Sequence, residues 1–536
     1  MRSLDQQPGR YHKIWSKAGR FTKNPDIVRF PDGRLMLVFC DTDRHWSEEI
    51  SRITTLESRD DGRTWGNPRV IAEADRRKGQ ERWVTPRMSL LGDGRLLAIC
   101  DHDDYAHVHQ DQTSGIWMWE SRDAGVTWSA PWLSGIPGIE PDRVIELADG
   151  TLLCGAHMTY RNTRKLGEFV MRSNDGGRTW KDLATIASDS VHHHCEGAIV
   201  LLKAGEIACV MRENNHQGYP SYVSFSQDQG RTWSKIAPLP FSGDRPYAKQ
   251  LRDGRVLVTY RNQLGNKGTQ AWLGDLHEGA RIGYQPGGVH YGDAIAINSE
   301  GLRMHAPRGG FTRYLLCPPE NFRSDVLFDV HLRVAGTPDE PHAAIEVGRL
   351  GVKLDVLING LWLHRGMVET ERPIGYPDGV PSTDKIAAID MTVPRRIRLE
   401  VISGRLQVSV DGKPVMHWVV MEEVPLRETY FGRVPASAGE VWWQEVRYET
   451  RNQTEPSFKW HWRAADGRYP DQYQIDNCLE LRSNPPRPGA TSDNGYSSWL
   501  ERADGSIYFV DYSNRDDPPP TGHLYSLNLS PKDFEA

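Results

Sequence analysis

At 536 residues, with 38% hydrophobic and 25% charged side chains, the chain is too long for one ordinary core and reads as two or three globular domains. A formal net charge of −6 and a pI near 6.4 argue against a polyanionic partner, so no nucleic acid is expected, and no apolar run is long enough for membrane insertion. Fifty Gly, 34 Pro and 18 Trp instead suit many short strands joined by tight turns, with indoles filling the layers between sheets.

The first residues, MRSLDQQPGRYHK, hold no apolar stretch, so no signal peptide is expected there. The compartment stays open between cytoplasmic and secreted with a leader removed. Seven Cys are scattered without a CxxC pair, which points to neither a zinc site nor a redox motif. Cys40, Cys100, Cys154 and Cys209 each close an apolar run, as small buried hydrophobes do, and an odd number fits a reducing compartment better.

From residue 24 a pattern sets in that recurs down the chain. A charged or Pro-bearing start leads into a short apolar strand, a D-G-type turn and a second apolar strand. It reads NPDIVRFPDGRLMLVF at 24–39, TPRMSLLGDGRLLAI at 85–99, EPDRVIELADGTLLC at 140–154, CEGAIVLLKAGEIACV at 195–210 and DRPYAKQLRDGRVLVTY at 244–260. Each is a β-hairpin by its alternation and its turn. Between the hairpins runs a second repeat: SRDDGRTW (58–65), SRDAGVTW (121–128), SNDGGRTW (173–180) and SQDQGRTW (226–233). The shared S-x-D-x-G-x-T-W recurs at roughly 50–60 residues, the size of one four-stranded blade. Its chemistry is that of a turn. Asp60 and its equivalents are placed to accept N–H bonds across the loop, Gly62 supplies a positive φ, and Trp65 is free to pack between sheets.

Residues 280–450 break the pattern. They carry no S-x-D-x-G-x-T-W, and their strands, such as DVLFDVHLRV and RRIRLEVISGRLQVSVDGKPVMHWVV, resemble a concanavalin-like (laminin-G-like) sandwich. GYQPGGVHYGD (283–293) leads in and YETRNQTEPS (448–457) leads out. FKWHWRAADGRYPDQY (458–473) is expected to resume the first pattern, and GYSSWLERADGSIYFV (495–510) is its sixth hairpin. Six hairpins imply six blades, a β-propeller whose inner strands all start at one end of a shared axis. The starts supply Lys23-Asn-Pro, Thr85-Pro-Arg87, Glu140-Pro-Asp-Arg143, His194-Cys-Glu196, Asp244-Arg245-Pro and Gly495-Tyr496-Ser. Six polar starts converging on one pit favour a ligand site over a merely wet mouth.

The repeated boxes and these starts resemble the sialidase (neuraminidase) superfamily of Asp-box, or BNR-repeat, propellers. That resemblance implies roles for matching residues. Tyr496, in NGYSSWLERADG, matches the nucleophile, and Glu196, in HCEGAIVLL, the carboxylate that polarises it. Arg212, in IACVMR, matches an arginine that binds the substrate carboxylate. The acid/base falls on the loop after the first hairpin at Glu48, with Glu49 a neighbour and Asp43 an alternative. Asp41 matches an acidic residue that braces the first cationic ligand. The chemistry is coherent, because a phenol with pKa near 10 needs a carboxylate to take its proton, and a neutral Tyr is not repelled by a carboxylated sugar. A carboxylic acid then protonates the leaving oxygen.

The sequence also departs from that family. Lys23, in TKNP, stands where an arginine is expected, and a lysine is a point charge without the bidentate fork. For the third arginine, Arg261 (VTYRNQ), Arg463 and Arg468 compete, and Arg87 and Arg245 add further cations. The triad is thus incomplete or rearranged, which leaves another acidic or a neutral sugar open.

Adjacent histidines on a strand alternate faces, so His192-His193-His194 reads as one pit-facing ring with exposed neighbours rather than a metal site. DHDDYAHVHQD (101–111) is expected on the pit rim, and His157, Tyr160 and Arg161 could face the pit. Trp362, Trp442 and Trp443 serve either a sugar platform or the core of the inserted domain. The expectation is an all-β chain, a six-bladed β-propeller over 1–280 and 451–536 with a concanavalin-like β-sandwich inserted at 281–450. It would act on a glycan as an exo-acting, retaining glycoside hydrolase of a terminal acidic sugar, without metal or cofactor. The competing classes are a polysaccharide lyase on a uronate-containing glycan and a non-catalytic glycan-binding propeller.

Overall fold

Each apolar–D-G–apolar run folds as a hairpin closed by the same turn. In the first, Phe30 N donates to Arg34 O at 2.9 Å and Gly33 N to Phe30 O at 2.9 Å. The same pair of bonds recurs at Leu91/Arg95, Leu147/Thr151, Leu202/Glu206, Leu251/Arg255 and Arg502/Ser506. One turn chemistry therefore fixes the register of six hairpins. The computed structural model describes residues 2–535 except 6, 46–48, 104–114, 215–218, 263–266, 290–293, 306–311, 317–322, 366–381, 421–427, 435–437, 453–456 and 486–491. Among these the chain is all-β, with short α-helices at Leu276–Ile282 and Gln472–Asn477.

Two compact units divide the chain. The first comprises Met1–Asn214, Ser221–Gly283 and Asp476–Ala536, and the second is built on Tyr284–Ile475. In the first unit every hairpin grows into an antiparallel sheet. Sheet 1 holds Phe21–Arg29, Leu35–Thr42, Ile50–Ser58 and Arg69–Asp75; sheet 2 holds Arg82–Leu90, Leu96–Asp103, Gly115–Ser121 and Trp132–Leu133. Sheet 3 holds Ile145–Glu146, Leu152–Tyr160, Lys165–Ser173 and Lys181–Ala187; sheet 4 holds His194–Leu201, Ile207–Glu213, Tyr222–Ser226 and Ala237–Pro238. Sheet 5 starts with Asp244–Gln250, Val256–Asn262 and Gly268–Gly274. It is completed by Cys478–Ser483, on which Arg2–Ser3 lies parallel. Sheet 6 holds Ser498–Glu501, Ile507–Ser513 and His523–Leu529, with its outer strand, Tyr11–Ser16, taken from the other end of the chain.

Neighbouring sheets pack face to face. Phe30, Met36 and Val38 of sheet 1 meet Met88, Ala98 and Trp119 of sheet 2. On its other face sheet 1 sets Phe21, Leu37 and Phe39 against Tyr508, Val510 and Tyr512 of sheet 6. With both faces covered, Leu35–Thr42 is buried along its whole length and reads as an unbroken apolar run rather than an alternating one. The S-x-D-x-G-x-T-W segments join the third and fourth strands of sheets 1–4. In the first, Asp60 Oδ1 accepts from Thr64 N at 2.9 Å, Asp60 Oδ2 from Thr64 Oγ1 at 2.5 Å, and Ser58 Oγ from Gly62 N at 2.9 Å. Trp65 packs against the cluster shared by sheets 1 and 6. Cys40, Cys100, Cys154, Cys195, Cys209 and Cys478 are buried free thiols; Cys317 lies outside the described residues.

The second unit has a seven-stranded and an eight-stranded antiparallel sheet sharing one core. In Asp325–Ala335 alternate residues Val326, Phe328, Val330, Leu332 and Val334 face that core. Trp443 lies within it, while Trp442 is buried beneath the Arg333 guanidinium, 3.6 Å from its ring centroid, so neither is an open platform for sugar; Trp362 is half-buried. Phe458–Arg463 departs from the expectation that it resumes the first pattern. It pairs with Glu440–Arg451 inside the second unit, Trp462 joins that core, and the next strand of the first unit begins only at Cys478.

Candidate active site

The first strands of sheets 1, 2, 4 and 5 each break register near their start, between Lys23 and Asp26, Val84 and Arg87, Cys195 and Ala198, and Asp244 and Tyr247. At each break one residue takes a left-handed backbone: Asn24 (φ 55°), Thr85 (52°), Glu196 (51°) and Arg245 (45°). Glu140 (52°) does the same before sheet 3, and Gly495 (89°) before sheet 6. For a side-chain-bearing residue this costs roughly 1–2 kcal/mol. Such strain persists where a bulge re-aims a side chain. Here it turns Glu196, Glu140 and Arg245 toward one another.

Tyr496 meets that group from sheet 6. Its hydroxyl donates to Glu196 Oε1 at 2.8 Å, and Arg212 Nη1 donates to the Tyr496 oxygen at 3.0 Å and to Glu196 Oε1 at 2.9 Å. Glu196 Oε2 accepts the main-chain N–H of Arg245 at 2.8 Å, and His157 Nδ1 accepts the Glu196 N–H at 3.2 Å. Arg212 Nε pairs with Asp244 Oδ1 at 2.9 Å. Arg261 lies over the Tyr496 ring, 4.2 Å from its centroid, and is anchored by Asp493 Oδ1 at 2.7 Å and the Tyr512 hydroxyl at 2.6 Å.

Charge and burial set the protonation states. Burial opposes ionisation of Glu196, but Arg212 and Arg245 outweigh it and hold the carboxyl well below the usual range. Burial, then the Glu196 charge, push the Tyr496 phenol well above its ordinary value. The site therefore presents a neutral phenol donating to a carboxylate. Glu140 behaves in the opposite way. Burial and the neighbouring Glu196 charge raise its carboxyl well above the usual range, although Arg245 Nη1 stands 3.6 Å away. Of the two carboxyls, Glu196 ionises first and Glu140 holds its proton to higher pH.

Tyr496, Glu196, Arg212, Arg245 and Arg261 are thus brought together, and other expected site residues are placed differently. Lys23 Nζ donates to His45 O at 2.9 Å, and the His45 ring pairs with Asp493. The cation that Asp41 braces is Arg20, Nε to Oδ1 at 2.7 Å, with Arg52 at 3.8 Å. Arg87 turns away from the phenol toward Tyr247, because it lies two residues past its bulge, where side chains point into the packed interior. Glu48 lies outside the described residues; Asp43 caps Glu49 N and Ile50 N, and Glu49 reaches Arg44 at 3.5 Å. Arg463 and Arg468 belong to the second unit, where Arg463 pairs with Asp466 at 3.0 Å. Residues 104–111 of the expected rim lie outside the described residues, the Tyr160 hydroxyl bonds to Thr185 at 2.9 Å, and Arg161 is exposed.

His192 and His194 correct the expectation of exposed neighbours, since both rings are buried. His192 Nδ1 and His194 Nε2 meet Asp189 Oδ2 at 2.9 and 3.0 Å, and the Tyr222 hydroxyl meets His192 Nε2 at 3.1 Å. The pleat does set alternate rings on one face, but here both of them lie on the buried one. This is the group of three metal-type ligands found among the described residues. Its hydrogen bonds already satisfy the carboxylate, which the two imidazoles hold far below its ordinary pKa.

Sequence reasoning gave no role to Asp493 and left Asp244 and Glu140 as parts of two of the six strand starts. The signal for Glu140 was its place before Pro141 in the third start; Asp493 follows a stretch without pattern. Residues 74–269 match the family model described as a BNR repeat-like domain. No curated protein matches the sequence. Among solved structures, a protein of unknown function from Dyadobacter fermentans shares 18% identity over 50% of this chain and 82% of its own, with a TM-score of 0.44. A Trypanosoma rangeli sialidase mutant displaying trans-sialidase activity shares 14% over 81% and 92%, at 0.37. A Penicillium chrysogenum α-L-arabinanase complexed with arabinobiose shares 17% over 49% and 81%, also at 0.37.

Proposed function

We propose that this chain, a carrier of the BNR-type repeats of the sialidase-like superfamily, is an exo-acting glycoside hydrolase that retains anomeric configuration through a covalent tyrosyl intermediate. In this reading the six sheets are the blades of a propeller whose Asp-box turns face outward, and the second unit is an inserted concanavalin-like sandwich. The observation that carries it is the 2.8 Å bond from the Tyr496 hydroxyl to Glu196 Oε1, with Arg212 on the same oxygen.

The chemistry follows from that bond. As the Tyr496 oxygen attacks the anomeric carbon, its pKa falls, and the proton moves along the existing hydrogen bond to Glu196. Arg212 offsets the negative charge that develops on the phenol oxygen. The bond from the anomeric carbon to the leaving oxygen breaks, and that oxygen takes a proton from an acid, the role proposed for Glu48. Water then attacks the tyrosyl–sugar bond, Glu48 removes the water's proton, and Glu196 returns the proton to Tyr496. An acidic terminal sugar was the expectation, and the pairing of the cations weighs toward a neutral one. Arg212 is matched by Glu196 and Asp244, and Arg261 by Asp493, so less positive charge is left for a sugar carboxylate than the number of arginines suggests.

Turnover on a panel of aryl glycosides, with uronides and sialosides among them, tests the reading. Release of the aryl alcohol with retained configuration supports it. A UV-absorbing unsaturated uronate from a polymeric substrate would mark a lyase instead, and binding without any turnover a silent glycan-binding propeller.

A further inference from the structure

Arg87 is 3% exposed, and neither its Nε nor its Nη1 has a hydrogen-bond partner. An arginine buried in this way costs several kcal/mol unless something of opposite charge meets it. Its surroundings repeat the problem. Arg143 Nη2 donates to Ile199 O at 3.1 Å and Ala248 O at 2.8 Å, but its Nη1 has no hydrogen-bond partner and stands 3.7 Å from Asp142 Oδ1. The Tyr247 hydroxyl is buried and unpartnered too.

These groups share one place. Arg87 Cζ, Arg143 Cζ and Lys249 Nζ stand 5.4, 4.9 and 4.9 Å from the centroid of the Tyr247 ring. Two carboxylates lie near, and three of their four oxygens accept from backbone amides. Asp26 accepts from Ile27 N at 2.9 Å and Met88 N at 2.8 Å, and Asp142 accepts from Ile199 N at 2.8 Å. Two arginines, and Lys249 with its ammonium pKa lowered to about 7 by burial, therefore face two carboxylates of which only Asp142 Oδ1, 3.7 Å from Arg143, serves no amide. The unsatisfied atoms, Arg87 Nε and Nη1, Arg143 Nη1 and the Tyr247 hydroxyl, all donate.

We propose that Arg87, Arg143 and Tyr247 bind a small inorganic anion, chloride in kind, among the first strands of sheets 2, 3 and 5. A water molecule would accept from one or two of these donors but bring no charge. A halide accepts from all of them and sets a negative charge beside the Arg87 guanidinium, which has no ion pair of its own among the described residues. The site lies apart from the Tyr496–Glu196 pair, with which none of its donors bonds.

Crystals grown in sodium bromide, with diffraction collected at the bromine edge, test this directly. An anomalous peak within hydrogen-bond reach of Arg87 and Tyr247 is expected, and its absence overturns the proposal. Thermal unfolding supplies the second arm. Wild-type Tm is expected to rise saturably in sodium chloride over sodium gluconate at equal ionic strength. Arg87→Met, which removes the unmatched charge, is expected to lose that rise. Equal wild-type Tm in both salts would also overturn it, and neither wild-type result depends on the variant folding.

Discussion

Asp244 stands directly behind Arg212, its Oδ1 2.9 Å from Nε, while the other end of the same guanidinium touches both Tyr496 and Glu196. Arg212 is thereby pinned between two carboxylates, and the orientation of its Nη1 toward the phenol oxygen depends on the rear one. Asp244→Asn is expected to lower kcat about tenfold with little change in KM, since the arginine still pairs with Glu196. The buried ion pair it removes is worth about 1–3 kcal/mol. A lower Tm with unaltered kcat would show that Asp244 serves stability alone.

Glu140 predicts a feature of the pH profile. Its carboxyl is raised well above the usual range by burial and by Glu196, so it holds its proton to higher pH than an ordinary carboxyl. As pH rises through that raised pKa it ionises and places a second negative charge beside Glu196. The phenol must then lose its proton toward a more crowded anionic site, and kcat/KM falls on the basic side. Glu140→Gln keeps the neutral form at every pH. Its neutral-pH activity is expected within about threefold of wild type, with the basic limb displaced upward or gone. A hundredfold loss at neutral pH would assign Glu140 to proton transfer itself.

The S-x-D-x-G-x-T-W turns make a paired prediction about stability. Gly62 and Gly177 occupy the same turn position, with φ 85° and 88°. A Cβ at Gly177 meets nothing nearer than Leu97 Cδ1 at 3.5 Å, so Gly177→Ala pays only the left-handed backbone, about 1–2 kcal/mol. A Cβ at Gly62 runs into the Tyr508 ring, whose hydroxyl donates to Gly62 O at 2.9 Å. Gly62→Ala is therefore expected to cost clearly more in denaturant unfolding. Equal losses would mean that Tyr508 yields freely.

Strands and turns were legible because local chemistry dictates them. The D-G turns and the alternation of Asp325–Ala335 need nothing beyond their own residues. That Tyr496, Glu196 and Arg212 meet was an expectation of the resemblance, carried by the contexts NGYSS, HCEG and CVMR. What failed was anything decided by direction across a bulge. Arg87 and Arg245 both follow a strand start closely, yet Arg245 is the left-handed residue and faces Glu196, while Arg87 lies two residues beyond Thr85 and points into the interior. Asp41 was matched to a lysine at the strand start and instead braces Arg20, since pairing across sheet 1 puts it opposite Thr22. Counterions such as Asp493 come from segments hundreds of residues away, 232 in the case of Arg261, which no local pattern announces.

The central claim is that the Tyr496 oxygen becomes bonded to the sugar. A fluorinated glycoside of whichever sugar is turned over, fluorinated beside the anomeric carbon and bearing a fast leaving group, slows the second step more than the first. Peptide mass spectrometry after brief exposure is predicted to find one added sugar on the peptide carrying Tyr496, and none in Tyr496→Phe, which should lose at least about 10³-fold in kcat. A sugar adduct on any other residue, or full turnover by Tyr496→Phe, would contradict the account.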